Sequence, residues 1–228
     1  MNGKAIIKFL VVIAAIIGLF AYFIQPLAGS LKQGLDLQGG THIVLEAEDS
    51  ATGQADNDAV ERAKQILERR INEMGLSEPL VQREGARRII IELPGVKDPD
   101  EAIKRIGKTA VLEFKNDQGQ TVMTGDDLKD AKEELGQNKQ PLVAIELSDE
   151  GAKKFADLTS KNIGRRIAIT LDGKELTNPV VQQAITGGKA TISGSQSLEE
   201  AKDLAILLRS GALPVKINVL EVRTVGPS

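Results

Sequence analysis

DPDEAIKRIGKTAVLEFK, residues 98–115, is the stretch on which the fold turns. Asp98 is placed to cap a helix, Pro99 takes its first position and Glu101 its third. Ala102, Ile103 and Ile106 make the apolar face, and Gly107 ends it. Ala110–Lys115 then reads as a strand. Upstream, Thr41–Ala47 is rich in β-branched residues with partial alternation, a second strand. Residues 58–74 are the clearest helix. Asp58 is placed to cap it, Val60, Ala63, Leu67, Ile71 and Met74 share one face, and Gly75 stops it. Pro79 opens the strand Leu80–Glu84, Gly85-Ala86 turns, and Arg87–Leu93 returns as a hairpin. The order is β-α-β-β-α-β, the split motif of ferredoxin-like units. Residues 33–115 are therefore expected to close as one such unit.

A second unit of similar order is expected over 116–223. Asn116–Gly119 is a turn. A short helix is expected from Thr124 or Asp126 through Leu135, with Leu128, Ala131 and Leu135 on one face. A linker, Gly136–Pro141, leads to the strand Leu142–Leu147. Ser148 is placed to cap a helix whose face is Ala152, Phe155, Ala156, Thr159 and Ile163. Arg166–Leu171 is a strand, and Asp172-Gly173 is a hairpin signal. Lys189–Ser193 is another strand. Ser197 and Glu200 form a capping box for a helix that turns Ala201, Leu204, Ala205 and Leu208 inward and stops at Gly211. Leu213–Val222 is the last strand. The expected fold class is α+β, with two units of similar element order and a hinge at Gly136–Pro141 or Asn116–Gly119.

Ahead of these units lies Ala5–Ile24, AIIKFLVVIAAIIGLFAYFI, with Lys8 as its one charge. As a helix it spans about 30 Å, the thickness of a bilayer's hydrocarbon core. Its length favours a permanent anchor over a cleaved signal, and Pro26 and Leu27 stand where a cleavage site wants small residues. Lys4 precedes the span and Lys8 sits in its first turn, which places residues 1–4 in the cytoplasm and 25–228 outside. Residues 25–32 are a connector.

The chain is 41% hydrophobic and 27% charged, the balance of a folded globular protein, yet only 3% aromatic, so its core is aliphatic. Removing Lys4 and Lys8 takes the formal net charge from −3 to −5, which disfavours nucleic acid. There is no Cys, which excludes disulfides and thiolate chemistry. The one His, His42, has no visible nucleophile or metal partner and reads as a half-buried strand residue. Asp36, Glu46 and Glu48 fail the same test as a carboxylate pair. Gly39-Gly40 and Gly187-Gly188 precede strands rather than helix N-termini and make poor phosphate loops. The pairs Arg87-Arg88, Lys104-Arg105 and Arg165-Arg166 read as solvated faces. No catalytic residue, metal site or cofactor is expected. From the residues alone, this is a tethered, extracytoplasmic binding or scaffold module.

The run Gly34-Leu35-Asp36-Leu37-Gln38-Gly39-Gly40, soon after the span, resembles a signature of the SecD/SecF family of bacterial protein-export membrane proteins. So do Leu207–Pro214, which includes Arg209, Gly211 and Pro214, and Val225–Ser228. Phe155 with Thr159, Ile167–Gly173 ending in Asp172-Gly173, Asn178-Pro179 and Ile192–Gly194 follow the same pattern in order. The resemblance implies a subunit of an accessory complex with SecF, often with YajC, beside the SecYEG channel in the bacterial cell membrane. Such a subunit uses the proton gradient to promote export and contacts the emerging, unfolded polypeptide. It implies a membrane-proximal base and a mobile head, chiefly 33–115 and 116–223, with the last helix and strand free to return to the base. Residues 224–228 would lead into a further membrane helix, so the chain is expected to be a piece of a longer protein. The proton-coupling residues belong to helices it does not contain. The alternative is the porter domain of a small-molecule pump of the related resistance-nodulation-division superfamily, which the shortage of aromatics disfavours. A membrane-anchored hydrolase would need a nucleophile–base pair.

Overall fold

The computed structural model describes residues 39–49, 53–76, 79–96 and 98–226, with the isolated helical residues 12, 13, 16 and 18. The expected span 5–24 otherwise lies outside the described residues, as do Gly34, Asp36 and Gln38. Among the described residues, no helix is long and apolar enough to cross a membrane.

The first body is a four-stranded antiparallel sheet with two helices. Its strands are β1 (Gly40–Glu48), β2 (Leu80–Glu84), β3 (Arg88–Pro94) and, from the far end of the chain, β11 (Lys216–Val225), in the order β11-β1-β3-β2. Alternation along β1 sends Ile43, Leu45 and Ala47 into the core while His42, Val44 and Glu46 stay half-buried. Helix α1 (Asn57–Glu73) buries Val60, Ala63, Leu67 and Ile71 as its periodicity predicts. Its cap is Asp56 rather than Asp58, with the carboxylate accepting from the Ala59 N–H at 2.8 Å. Helix α2 (Pro99–Ile106) starts at Asp98, which accepts from the Glu101 N–H at 3.2 Å.

The expected contiguous β-α-β-β-α-β sheet does not form. β4 (Leu112–Lys115) leaves the first body and pairs with β8 (Ala168–Leu171), Phe114 facing Ile169. The place beside β1 goes to β11, with Gly40 opposite Val225 and Glu48 opposite Lys216. A strand's period of two says which residues face a core, but not which core.

The second body is also unlike a copy of the first. It holds two sheets around one core: β5 (Thr121–Thr124), β4, β8 and β9 (Lys174–Thr177) in the order β5-β4-β8-β9, and β6 (Leu128–Leu135), β7 (Pro141–Leu147) and β10 (Lys189–Ser193) in the order β10-β7-β6. Helices α3 (Asp149–Lys161) and α4 (Leu198–Ser210) complete it, capped by Ser148 and Ser197 as expected. The helix expected up to Leu135 is a short 3-10 turn, Gly125–Asp127, followed by strand β6. Leu128, Ala131 and Leu135 have helical spacing, but only Ala131 is buried and Leu135 is 53% exposed. One buried alanine cannot anchor a short helix in water, whereas pairing with β7 satisfies the backbone along the whole segment. Ile163, expected on the inner face of α3, lies past the helix end and is exposed.

Neither expected hinge is one. Gly136 donates to the Gln140 carbonyl at 2.9 Å and Asn116 to the Gln120 carbonyl at 3.0 Å, so both segments are hairpin turns inside the second body. The chain passes between the bodies at 107–111 and again at 211–215.

Gly39 and Gly40 stand at the start of β1, both with positive φ. Gly39 has φ +68° and Gly40 φ +151°, and the Gly39 carbonyl accepts from the Gly95 N–H at 3.0 Å. A β-branched residue is strained at such angles. Gly40→Val is expected to cost about 1–3 kcal/mol of first-body stability. A thermal melt unchanged by the substitution would show that the pair is there for something else.

Candidate functional site

The two crossings run side by side, with the Leu213 N–H donating to the Thr109 carbonyl at 2.8 Å. Arg70 of α1 lies between them, 0% exposed. Its Nε donates to Ser210 Oγ at 3.1 Å, Nη1 to the Ile106 carbonyl at 2.7 Å and to the Lys108 carbonyl, and Nη2 to the Gly211 carbonyl at 2.8 Å. One planar fork thus ties the end of α2 to the end of α4. Burial pushes the Arg70 pKa down to about 10, against the opposing pull of Asp172.

Asp172 and Gly173 form the two-residue turn between β8 and β9, with φ +50° and +77°, the all-positive geometry of a tight hairpin. Asp172 also reaches the first crossing. Its carboxylate accepts from the Ala110 N–H at 3.1 Å and the Val111 N–H at 2.9 Å, and its own N–H donates to the Val111 carbonyl at 2.9 Å.

Arg209, near the end of α4, faces the other way along the same joint. It donates through Nε to Glu73 Oε2 of α1 at 3.0 Å and through Nη1 to the Ala131 carbonyl of β6 at 2.9 Å. Glu73, its hydrogen-bonded partner, holds the Arg209 pKa above its ordinary value. Lys132, with help from the Ala131 N–H and from Arg209, holds the Asp130 carboxyl below the usual carboxylate range. On the far side, Arg105 Nε of α2 donates to Asp203 Oδ1 of α4 at 3.0 Å. Gly211 ends α4 with φ +89°, its N–H donating to the Leu207 carbonyl at 3.2 Å, and the chain turns through Pro214 toward β11. A double-mutant cycle on Glu73 and Arg209 is expected to give a coupling of about 1 kcal/mol, since the pair is partly screened. Additive losses would mean that the two charges do not hold the bodies together.

The second body carries an open groove of about 820 Å³ between β6, β7 and β10 on one side and the segment Pro179–Ile185 on the other. Phe155, Thr159 and Ile169 also line it. The buried Thr159 hydroxyl accepts from the Ile185 N–H at 2.9 Å, the Val181 N–H donates to the Arg165 carbonyl at 2.9 Å, and the Val181 and Pro179 carbonyls accept from the Gly164 and Ile167 N–H groups at 2.8 and 3.1 Å, so the segment is fastened along its length. β10 lies at the edge of its sheet.

Of the residues singled out by sequence, the structure gathers Asp172, Gly173, Arg209, Gly211 and Pro214 around the crossings and leaves Gly39 and Gly40 at the entrance to β1. His42 sits opposite Glu92 in the first sheet, with Nδ1 3.5 Å from Oε1. Among the described residues, no cluster of His, Asp and Glu is placed to hold a metal. Sequence reasoning missed Arg70. The signal was there: it stands three residues after Leu67 and four before Met74, a charge on the apolar face of α1.

Three family profiles match the chain: "SecDF, P1 head subdomain" over residues 103–215, "Protein translocase subunit SecDF, P1 domain, N-terminal" over 60–119, and "SecD/SecF GG Motif" over 31–51. Protein translocase subunit SecD of Acidaminococcus fermentans is 57% identical over 228 residues, which is 100% of this chain and 55% of that protein. The chain belongs to the SecD/SecDF family of protein translocase subunits. A crystal structure of SecDF in a super-membrane-facing form superposes with a TM-score of 0.76 at 42% identity, covering 86% of this chain and 32% of that one. A structure described as a membrane component SecDF that enhances protein export gives a TM-score of 0.72 at 40% identity, covering 80% of this chain and 99% of that one. The chain spans about half the length of the first SecD relatives it matches. The glycine pair at the head of β1 lies within the family's GG motif.

Proposed function

We propose that this chain is the tethered, extracytoplasmic part of a Sec translocase accessory subunit, and that its second body is a head that holds unfolded polypeptide as it leaves the channel. The observation that carries the reading is the open groove beside edge strand β10. An extended chain entering there can add backbone hydrogen bonds along the edge while its side chains bury apolar surface without sequence preference. The first body is a ferredoxin-like base closed by a strand from the chain's end, with the head inserted between α2 and β11. Support for tethering comes from Gly40 lying opposite Val225, so the chain enters and leaves the base sheet at one end, where a span at 5–24 and a following helix would both attach. The N-terminus is cytoplasmic in this arrangement. The proton gradient acts through other membrane helices, and SecF, the SecYEG channel and YajC are the expected neighbours. Gly39, Gly40, Asp172, Gly173, Arg209, Gly211 and Pro214 serve the base entrance and the joint rather than the substrate.

A photo-crosslinking residue at Gln183, in the full subunit with a stalled export substrate, is expected to label the translocating chain. The same probe at Leu80, exposed on the base, is expected not to. Labelling at Leu80 and none at Gln183 would overturn the assignment of the head.

A further inference from the structure

Among the described residues, eleven glycines have positive φ, and only three other residues do: Ala110, Lys139 and Asp172. Lys139 is in the β6–β7 hairpin turn. The other two are hydrogen-bonded to each other at the first crossing, Ala110 N–H to Asp172 Oδ2 at 3.1 Å. Alanine is disfavoured in this region because its Cβ crowds the following carbonyl, so Ala110 holds φ +61° only if its surroundings enforce it.

What enforces it comes from both bodies. The Asp172 carboxylate, from the second body, takes the Ala110 and Val111 N–H groups. The Arg70 guanidinium, from the first, takes the Ile106 and Lys108 carbonyls. A short run of backbone is thus gripped at its amide end by a negative charge and at its carbonyl end by a positive one. We propose that Asp172 and Arg70 form a charge clamp that holds Ala110 in its strained conformation and thereby sets the orientation of the head on the base. The strain makes the joint releasable. When the carboxylate lets go, Ala110 relaxes to negative φ and the first crossing changes direction. This goes beyond the polypeptide-holding role, and its test reads orientation rather than export.

These 228 residues hold no cysteine. With any cysteine elsewhere in the full subunit replaced by serine, spin labels at E84C on the base and K174C on the head can be read in nanodiscs. Double electron–electron resonance then gives the distance distribution. Asp172→Asn keeps one acceptor but loses the charge, and is expected to broaden the distribution and lower the share at the distance of this structure several-fold. Adding Ala110→Gly removes the strain that the clamp resists and is expected to recover most of that share. A distribution unmoved by Asp172→Asn, or broadened without recovery by Ala110→Gly, overturns the clamp. Hydrogen exchange on the unsubstituted protein is a second measurement that needs no variant. Ala110 and Val111 amides are expected to be protected, and exchange at the rate of open loop amides overturns the proposal equally.

Discussion

Replacing Arg70 by methionine is expected to destabilise the protein by about 2–4 kcal/mol and to lower the protection of 211–215 before that of the strands. Two effects compete. Burying a guanidinium costs several kcal/mol in lost hydration, and an apolar residue of similar volume often replaces a buried charge without loss. Against that, its four acceptors lose their donor, and each orphaned buried acceptor costs about 1–3 kcal/mol. Ser210 Oγ keeps a partner in the Leu207 carbonyl at 3.1 Å, so its share is small. The Ile106 carbonyl is bonded from within the buried part of the joint, and those of Lys108 and Gly211 from its half-buried margin. The orphaned carbonyls outweigh the recovered hydration because methionine offers no donor. Arg70→Lys is expected to fall between, since an ammonium is a point donor that cannot span both crossings. A methionine variant that melts like the parent, with unchanged exchange at 211–215, would show that the fork does not join the crossings.

Phe114→Ala is expected to cost about 3–5 kcal/mol, a loss confined to the second body. Phe114 is 0% exposed and meets Phe155 edge to face at a centroid distance of 5.9 Å. With five Phe and no Trp in the chain, these two rings supply much of the largest apolar volume in that core, and alanine leaves a cavity that the surrounding aliphatic side chains fill poorly. Such a loss is a large part of a domain's usual stability of about 5–15 kcal/mol. The base has its own core, from Ile43 to Ile106 with Leu213 and Val215, so its amides should stay protected when those of β4, β7 and α3 open. Simultaneous opening of both bodies would mean that the two cores fold as one unit.

The division between what was legible and what was not runs through particular residues. Asp98, Ser148 and Ser197 announce their helices because a cap bonds to an N–H only three residues away. The apolar faces of α1 and α4 are legible because burial repeats with the helix period. Asp172-Gly173 declares its hairpin because a tight turn demands positive φ at both places. The family signature, too, lies open in short runs such as Leu207–Pro214.

Tertiary structure alone decided the rest. The sequence determined that 112–115 is a strand, but only the fold determined that it leaves the base, and that β11 takes the vacant edge. Residues 128–135 carry helical spacing and became a strand because β7 was there to pair with them. Arg70 and Asp172 acquired their partners from segments 36 to 141 and 61 to 62 positions away. Caps, turns and periodic faces depend on dihedral angles and neighbours within a few residues. Strand partners and buried charges depend on which distant groups arrive, and that is settled only when the two cores close.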